Sequence, residues 1–182
     1  MTEHQPFDVV RRYDGFEVRR YPAHVLAQVD VRGELEAGAG AGFGPLFRYI
    51  SGGNASGTSI AMTAPVLQQT AAPGLQTVSF VMPADMTPAS TPTPREPRVR
   101  TVAVGPRLMA ARRFSGAART ARFTEQGARL LAAVRRAGLT PVGEVAYARF
   151  DPPWTPGFLR HNEALVELSG QREGDQATEG LG

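Results

Sequence analysis

The residue types that most often perform chemistry in proteins are few or missing in this chain of 182 residues. Cysteine is absent, which excludes thiolate nucleophiles, disulfides and zinc–thiolate sites. All 20 basic residues are arginine, so a Schiff-base lysine and a Walker A lysine are excluded as well. Histidine occurs only at positions 4, 24 and 161, without the spacing of a metal site. These counts favour a binding protein over an enzyme and predict no catalytic residues.

Two glycine-rich segments come close to functional motifs without satisfying them. The alternating glycines of residues 38–44 would need a further glycine at position 43 or 45 to form the dinucleotide fingerprint G-x-G-x-x-G, and those positions hold Phe43 and Pro45. Residues 53–57, GNASG, do not have the G-x-S-x-G spacing of a serine hydrolase. Neither a nucleotide-binding loop nor a nucleophilic serine is therefore predicted.

Length, charge and hydropathy limit the domain count and the partners. The length predicts one domain over residues 1–170, followed by a disordered polar tail over residues 171–182. The formal net charge is +3 and the arginines are dispersed, which does not favour nucleic-acid binding. No segment approaches about 18 uninterrupted apolar residues, and the N-terminus lacks a signal-peptide pattern. We therefore expect a cytoplasmic protein, monomeric and without a membrane partner.

The first 32 residues predict three strands. Residues 9–12 and Phe16–Tyr21 form a hairpin around the turn signal Asp14-Gly15. A third strand, His24–Arg32, has valine or alanine at every second position, which is the pattern of a half-buried strand. His24 lies on the opposite face of that strand and is expected to face solvent.

Two segments have the apolar spacing of amphipathic helices. In residues 34–51, apolar side chains recur at intervals of three, four and seven. The glycines and Pro45 of this segment favour a kinked or frayed first half. Residues 118–137 carry a second apolar stripe that ends at Gly138, a common signal for a helix C-terminus. Each helix is expected to bury one face.

The remaining strands complete a repeated order of elements. They are predicted at residues 66–70, 76–82, 99–104, 107–114, 142–150 and 163–169. Residues 83–97 contain five prolines and predict a long loop, either the lid or rim of a site or a floppy insertion. The order strand, helix, strand, strand occurs over residues 24–82 and again over 107–169. This repetition predicts an α+β domain in which two helices pack on a curved, mostly antiparallel sheet.

Seven segments spread over residues 8–169 together resemble the SOUL/haem-binding protein family. They are, in chain order, FEVRRY (16–21), FRYISGGN (47–54), IAMTAPV (60–66), SFVMP (79–83), FSG (114–116), FDPPWTP (150–156) and RHNE (160–163). The segments are weak individually and specific jointly. The resemblance implies a distorted, mostly antiparallel β-barrel of eight or nine strands with two long flanking helices, built from two pseudo-repeats.

The resemblance also implies that the protein binds haem b or protoporphyrin in an apolar groove on the first helix, as a carrier, buffer or sensor. A porphyrin is a flat apolar plate with two propionates, so its site combines aromatic surface with arginine. In the implied site, Phe43 and Phe47 line the groove and Phe150 forms the facing wall. Arg48 and Arg160 bind the propionates. Met62 and Trp154 are added because they lie in neighbouring motifs.

The iron ligand is the point at which the chain departs from the family. Some members have a histidine just before the tyrosine of the second strand, and this chain has Arg20 there. His161 is either an alternative axial ligand or a surface substitution. Two other functions stay open. One is an effector-binding or protein-interaction module for small organic ligands, and the other is an enzyme in which Glu163, Tyr49 or Tyr147 lies deep in the groove.

Overall fold

One large antiparallel sheet supports both long helices of the protein. The structure, a computed structural model, describes residues 2–170, and the polar tail predicted at 171–182 lies outside the described residues. The strands are β1 (Glu3–His4), β2 (Asp8–Tyr13), β3 (Phe16–Tyr21), β4 (His24–Arg32), β5 (Thr63–Ala64), β6 (Val66–Ala72), β7 (Leu75–Val81), β8 (Val99–Val104), β9 (Arg107–Phe114), β10 (Pro141–Arg149) and β11 (Asn162–Leu168). The helices are α1 (Leu35–Ile50) and α2 (Thr120–Arg136). In the described part of the chain, neither helix has the length and apolar character needed to cross a membrane.

The sheet joins two halves that correspond to the predicted repeats. Its nine strands have the order β2-β3-β9-β11-β10-β6-β7-β4-β8, and every neighbouring pair is antiparallel. One half contains β4-α1-β6-β7, the other contains β9-α2-β10-β11, and β6 pairs with β10 where the halves meet. The α+β prediction is thereby confirmed. Within residues 2–170 the edge strands β2 and β8 do not pair with each other, so closure into a barrel is not confirmed.

Each half also receives a strand from the chain segment that precedes the other half. Strand β3 precedes β4 in the sequence but pairs with β9, and β8 precedes β9 but pairs with β4. The two halves are therefore interlocked through the sheet. Side chains that are far apart in the sequence are brought together wherever these exchanged strands pair.

Helix α1 packs closely on the sheet because glycines face the sheet. A Cβ atom on Gly38 would lie 2.8 Å from Gln68 Nε2, and one on Gly42 would lie 2.6 Å from the Val78 side chain. Larger residues would push the helix off the sheet, since the protein interior has no free volume at these points. The predicted fraying is not observed, because α1 is helical from Leu35 onward. Glycines that weaken an isolated helix here permit its tertiary packing.

Residues near the end of β10 lie on opposite faces of the sheet, one covered by α2 and the other turned away from the helices. The Tyr147 ring is buried under α2, with its centroid 5.3 Å from that of Phe123, and the Arg149 guanidinium lies 5.1 Å from the Phe123 ring. Phe150, the next residue, packs into a separate apolar cluster that contains Met109. Successive side chains of a strand point to opposite faces. We call the face that Phe150 joins, opposite the helices, the rear face.

The proline-rich loop, residues 83–97, is held against the C-terminal end of α1. The Tyr49 hydroxyl donates to the Pro92 carbonyl at 2.7 Å, and the Arg95 amide donates to the Gly53 carbonyl at 3.1 Å. These contacts argue against the floppy insertion, whereas the role of the loop as the lid or rim of a site stays a prediction.

His24 is less accessible than the strand alternation predicts. Strand β4 lies between β7 and β8, so its side chains have neighbours on both sides. The His24 ring is half-buried, its Nδ1 lies 2.9 Å from the Pro22 carbonyl oxygen, and its Nε2 has no partner among the described residues. Burial, with a smaller contribution from the Arg107 charge, lowers the pKa of His24 and favours the neutral ring.

Candidate functional site

The outer side of α1 presents a stacked pair of aromatic side chains. Phe43 and Phe47 are 42% and 48% exposed. Their ring centroids lie 5.6 Å apart with planes inclined by 13°, as their spacing of one helical turn allows. The Phe43 ring also meets the buried Phe80 ring edge-on at 5.4 Å. Core packing therefore leaves nearly half of the surface of each ring uncovered, and the predicted groove residues Phe43 and Phe47 lie on an accessible surface.

Arg48 follows Phe47 on α1 and shares an acidic partner with a second arginine, Arg98. The Arg48 side chain is 62% exposed, and its Nη2 lies 3.9 Å from Glu96 Oε2. Arg98 donates to the other oxygen of Glu96 at 2.9 Å, and this hydrogen bond lowers the pKa of Glu96. One carboxylate thus stands between two guanidinium groups, leaving one net positive charge. A Cβ atom on Gly40 would meet nothing within 4 Å, so this side of the helix is also open. We call Phe43, Phe47, Arg48 and Gly40 the α1 surface.

Met62 lies in the core between α1 and the sheet, and not on the exposed side of the helix. Its side chain is half-buried and packs against the core cluster under α1, which includes Leu46 and Phe80. It therefore belongs to the core beneath the α1 surface.

Phe150 does not form a wall facing α1. Its ring stacks on His161 with centroids 4.1 Å apart and planes inclined by 7°. Alternation along β10 places Arg149 on the helix side, where it donates to Gln68 Oε1 at 2.8 Å, and this turns Phe150 to the rear face. Burial, with a further contribution from the charge of Arg160, lowers the pKa of Arg149 to about 10.

Trp154 and Arg160 occupy the loop between β10 and β11. Arg160 Nε donates to the Thr155 carbonyl at 2.8 Å, and its Nη2 donates to the Pro153 carbonyl. These bonds fix the loop and occupy the guanidinium that was expected to bind a propionate. The Trp154 side chain is 81% exposed. The structure therefore brings Phe43, Phe47 and Arg48 together, and places the other predicted site residues elsewhere.

A second candidate site is a cleft of about 700 Å³ near the β2–β3 turn and the start of β11, largely on the rear face. We call it the rear cleft. Aromatic, basic and acidic side chains line it together with Gly15 and Ala111. These residues are His4, Phe7, Arg12, Tyr13, Phe16, Glu17, Arg19, Arg112, Arg113, Phe150, His161 and Glu163.

The floor of the rear cleft is a buried network centred on Arg19. Its Nη1 and Nη2 donate to the two carboxylate oxygens of Glu163 at 2.6 and 2.9 Å, and its Nε donates to Glu17 at 2.7 Å. His161 Nε2 lies 2.8 Å from Glu163 Oε1. The side chains of Arg19 and Glu163 are only 7% and 3% exposed. Such a bidentate pair fixes both groups in one orientation.

The protonation states in this network are set by the pairing. Burial would raise the pKa of Glu163, but hydrogen bonds from His161 and Arg19 lower it below its usual value. Burial likewise opposes the charge of Arg19, yet the bonds to Glu163 and Tyr21 raise its pKa. Both members of the pair are therefore charged at neutral pH, and the carboxylate is already fully engaged.

Neither Arg19 nor Glu17 stands out in the sequence as a site residue. Alternation along β3 places both opposite Phe16 and Val18, which is the ordinary pattern of a solvent-facing side. The available signal was Glu163, a carboxylate that directly precedes the apolar run Ala164–Val166 of β11, because a buried carboxylate needs a buried partner. The identity of that partner depends on strand order, which alternation does not reveal.

Several solved structures have a fold similar to that of this chain. The C-terminal domain of EcmrR is 9% identical, with a TM-score of 0.66 over 85% of this chain and 96% of that chain. A hydrolase from Listeria innocua is 10% identical, with a TM-score of 0.60 over 85% of this chain and 91% of that chain. EcmrR in its DNA complex matches at 9% identity and a TM-score of 0.65, over 84% of this chain and 56% of that longer chain. At these identities the similarity shows the fold alone.

The family follows from a more specific match. The model of the SOUL heme-binding protein family matches residues 2–167, and the chain belongs to this family. The resemblance carried by the seven sequence segments is thereby confirmed. Comparison with curated proteins gives no match.

Proposed function

We propose that this protein binds haem or a related tetrapyrrole on the α1 surface, as a carrier, buffer or sensor that does not transform its ligand. The observation that carries the proposal is the stacked Phe43–Phe47 pair, about half exposed beside Arg48, in a member of the SOUL heme-binding family. Covering these rings with a flat apolar ligand removes apolar surface from water, which favours binding.

The charges around the pair suit the two propionates of a tetrapyrrole. Arg48 and Arg98 are each 62% exposed in their side chains, and both are held near the same carboxylate, Glu96. A guanidinium forms charge-assisted hydrogen bonds to carboxylates. Arg98 thus takes the role that was expected of Arg160, whose guanidinium is bonded to backbone carbonyls.

The α1 surface offers no imidazole to an iron atom. All three histidines lie within the described residues, and none is on α1. His24 is half-buried in β4, and His161 is bonded to Glu163 in the rear cleft. Ligand binding at this surface therefore depends on the macrocycle and its carboxylates rather than on the metal.

The test is a titration of the purified protein with haemin and with metal-free protoporphyrin, followed by the Soret absorbance. We expect affinities that agree within about tenfold, or about 1.4 kcal/mol, because the iron gains no ligand. A preference for haemin beyond about a hundredfold would show iron coordination and contradict the proposed mode. Failure of both ligands to bind would overturn the proposed function itself.

Variants of the α1 surface identify the location. Arg48→Glu should weaken haemin binding by about 2 kcal/mol, roughly thirtyfold in Kd, because a charge-assisted bond is replaced by repulsion. The dimethyl ester of haemin should lose far less affinity in this variant. Phe47→Ala should weaken both ligands, since it removes stacking area. If acid and ester lose affinity equally in Arg48→Glu, this arginine does not contact a propionate.

A further inference from the structure

The rear cleft has the dimensions of a small-molecule site and is not explained by tetrapyrrole binding on α1. Its volume of about 700 Å³ lies within the range of ligand pockets in proteins. The sheet separates Phe150, which lines the cleft, from the helix that carries Phe43 and Phe47. The two sites can therefore be altered independently.

The floor of the cleft is preorganised rather than adaptable. Arg19 is held by Glu163, Glu17 and Tyr21, so its orientation is fixed before any ligand arrives. A buried ion pair contributes little to stability compared with apolar packing, because both charges lose their hydration. The geometry of the pair indicates a role in a binding site, because Glu163 also holds the His161 ring in place.

Flat aromatic surfaces stand on this floor. Phe150 and His161 form a nearly parallel stack. The Phe7 ring is 38% exposed and lies 4.1 Å from the Arg19 guanidinium, which it covers. The His4 ring also lies 5.8 Å from the Phe150 ring, so His161 and His4 both pack against Phe150. A planar aromatic ligand would pack on the exposed part of Phe7 and against the edge of the Phe150–His161 stack, and aromatic rings attract one another edge to face as well as stacked.

The charge balance of the cleft favours an anion. Both of its carboxylates are engaged by Arg19, so a cationic ligand would have to compete with a fixed bidentate pair. Arg113 is exposed and has no ion pair or side-chain hydrogen bond among residues 2–170. Arg12 is 77% exposed in its side chain and lies 3.7 Å from Glu17. The accessible charges of the cleft are therefore the guanidinium groups of Arg113 and Arg12, whereas the buried charges of its floor are paired with one another.

We propose that the rear cleft is a second ligand site that binds a planar aromatic carboxylate. The ring of such a ligand packs against Phe150 and Phe7, and its carboxylate is bound by Arg113 and Arg12. This site does not depend on the tetrapyrrole site, and its ligand class follows from the aromatic walls and the accessible guanidinium groups.

The probes are 2-naphthoate and its cationic counterpart 2-naphthylmethylammonium, titrated by calorimetry into the complete protein. We expect 2-naphthoate to bind at least about tenfold more tightly, because a charge-assisted bond to arginine forms only with the carboxylate. Tighter binding of the ammonium ion would show that the floor carboxylates act as the acceptor and would overturn the proposal. Absence of 2-naphthoate binding would overturn it as well.

Matched variants place the probe in the rear cleft. Arg113→Glu should weaken 2-naphthoate at least about tenfold, whereas Arg48→Glu on the α1 surface should leave it unchanged. Because Arg113 is exposed, its replacement leaves the fold intact, which circular dichroism would verify. Phe150→Ala should also weaken the probe. If Arg48→Glu weakened 2-naphthoate binding and Arg113→Glu did not, the probe would be bound on α1 and the inference would be contradicted.

Saturation with haemin separates this proposal from the proposed function. Haemin on the α1 surface should leave 2-naphthoate binding unchanged. Competition between the two would show one shared site and overturn the second site. If haemin does not bind at all while Arg113→Glu still weakens 2-naphthoate binding, the proposal of a site in the rear cleft is supported and the proposal of tetrapyrrole binding is contradicted.

Discussion

The α1 surface and the rear cleft are built from the same residue types in opposite settings. On α1, Phe47 is 48% exposed and Arg48 reaches its acidic partner only at 3.9 Å. In the cleft, Arg19 is 5% exposed and binds Glu163 through two bonds of 2.6 and 2.9 Å. An exposed arginine keeps its donors for a ligand, whereas a buried, paired arginine has used them in the fold. Aromatic residues and arginine therefore indicate a site only when their accessibility is known.

The largest effect should appear when the buried ion pair of the rear cleft loses its acidic partner. Glu163→Ala leaves the Arg19 guanidinium buried without its main acceptor, and we expect the free energy of unfolding to fall by about 3–5 kcal/mol. Denaturant titration would measure this loss. Glu163→Gln keeps the size of the side chain and should lose less.

The matched control lies on the same strand. Glu167→Ala removes a side chain that is 43% exposed and 3.5 Å from Arg107, and it should cost less than about 1 kcal/mol. If the two alanine variants lose similar stability, the Arg19–Glu163 pair does not behave as a buried unit.

A smaller effect distinguishes the two sides of α1. Gly42→Ala introduces a Cβ that would lie 2.6 Å from Val78, and overpacking of this kind costs about 1–3 kcal/mol. Gly40→Ala on the open side meets no neighbour within 4 Å and should stabilise the protein by about 0.5–1 kcal/mol through helix propensity. Thermal and denaturant unfolding would measure both. Stabilisation by both substitutions would show that α1 is not packed closely against the sheet at Gly42.

The smallest expected effect is a pH dependence that arises outside both sites. The lowered pKa of His24 means that the unfolded chain binds a proton more readily than the folded chain. His24 therefore contributes stability that is present above about pH 6.5, its unfolded pKa, and is lost as the pH falls through the folded pKa. Comparing unfolding at pH 7 and pH 5 in the wild type and His24→Gln would measure it.

The direction of the expected change is definite. His24→Gln should reduce the difference in stability between pH 7 and pH 5 that the wild type shows. The same slope in His24→Gln and the wild type would contradict the lowered pKa of the half-buried His24 ring.

Most elements of the fold were predictable from local pattern. The helix predicted at 34–51 is α1, and the strand predicted at His24–Arg32 has the bounds of β4. The prediction of two strand, helix, strand, strand units is matched by the sheet order. Alternation and helical spacing carry this information because they depend on neighbours within a few residues.

The candidate site was only partly predictable. Phe43, Phe47 and Arg48 are grouped by one helix, so their spacing is sufficient to bring them together. Phe150 and Arg160 were expected on the same side as α1, and both have other partners. The side to which Phe150 points depends on how β10 packs under α2, and Arg160 is occupied by the loop that it closes.

Composition and local pattern are sufficient to establish which chemistries are available to this protein and where its helices and strands lie. Without cysteine or lysine, the polar chemistry of any site here falls to arginine, carboxylates, hydroxyls, amides and three histidines. Tertiary structure alone decided that Arg19 meets Glu163, which is 144 residues away in the chain. The two are joined because β3 pairs with β9 and β9 pairs with β11, with small Ala111 between them. Local periodicity records the face of each strand, whereas the order of strands in the sheet determines which charges become partners.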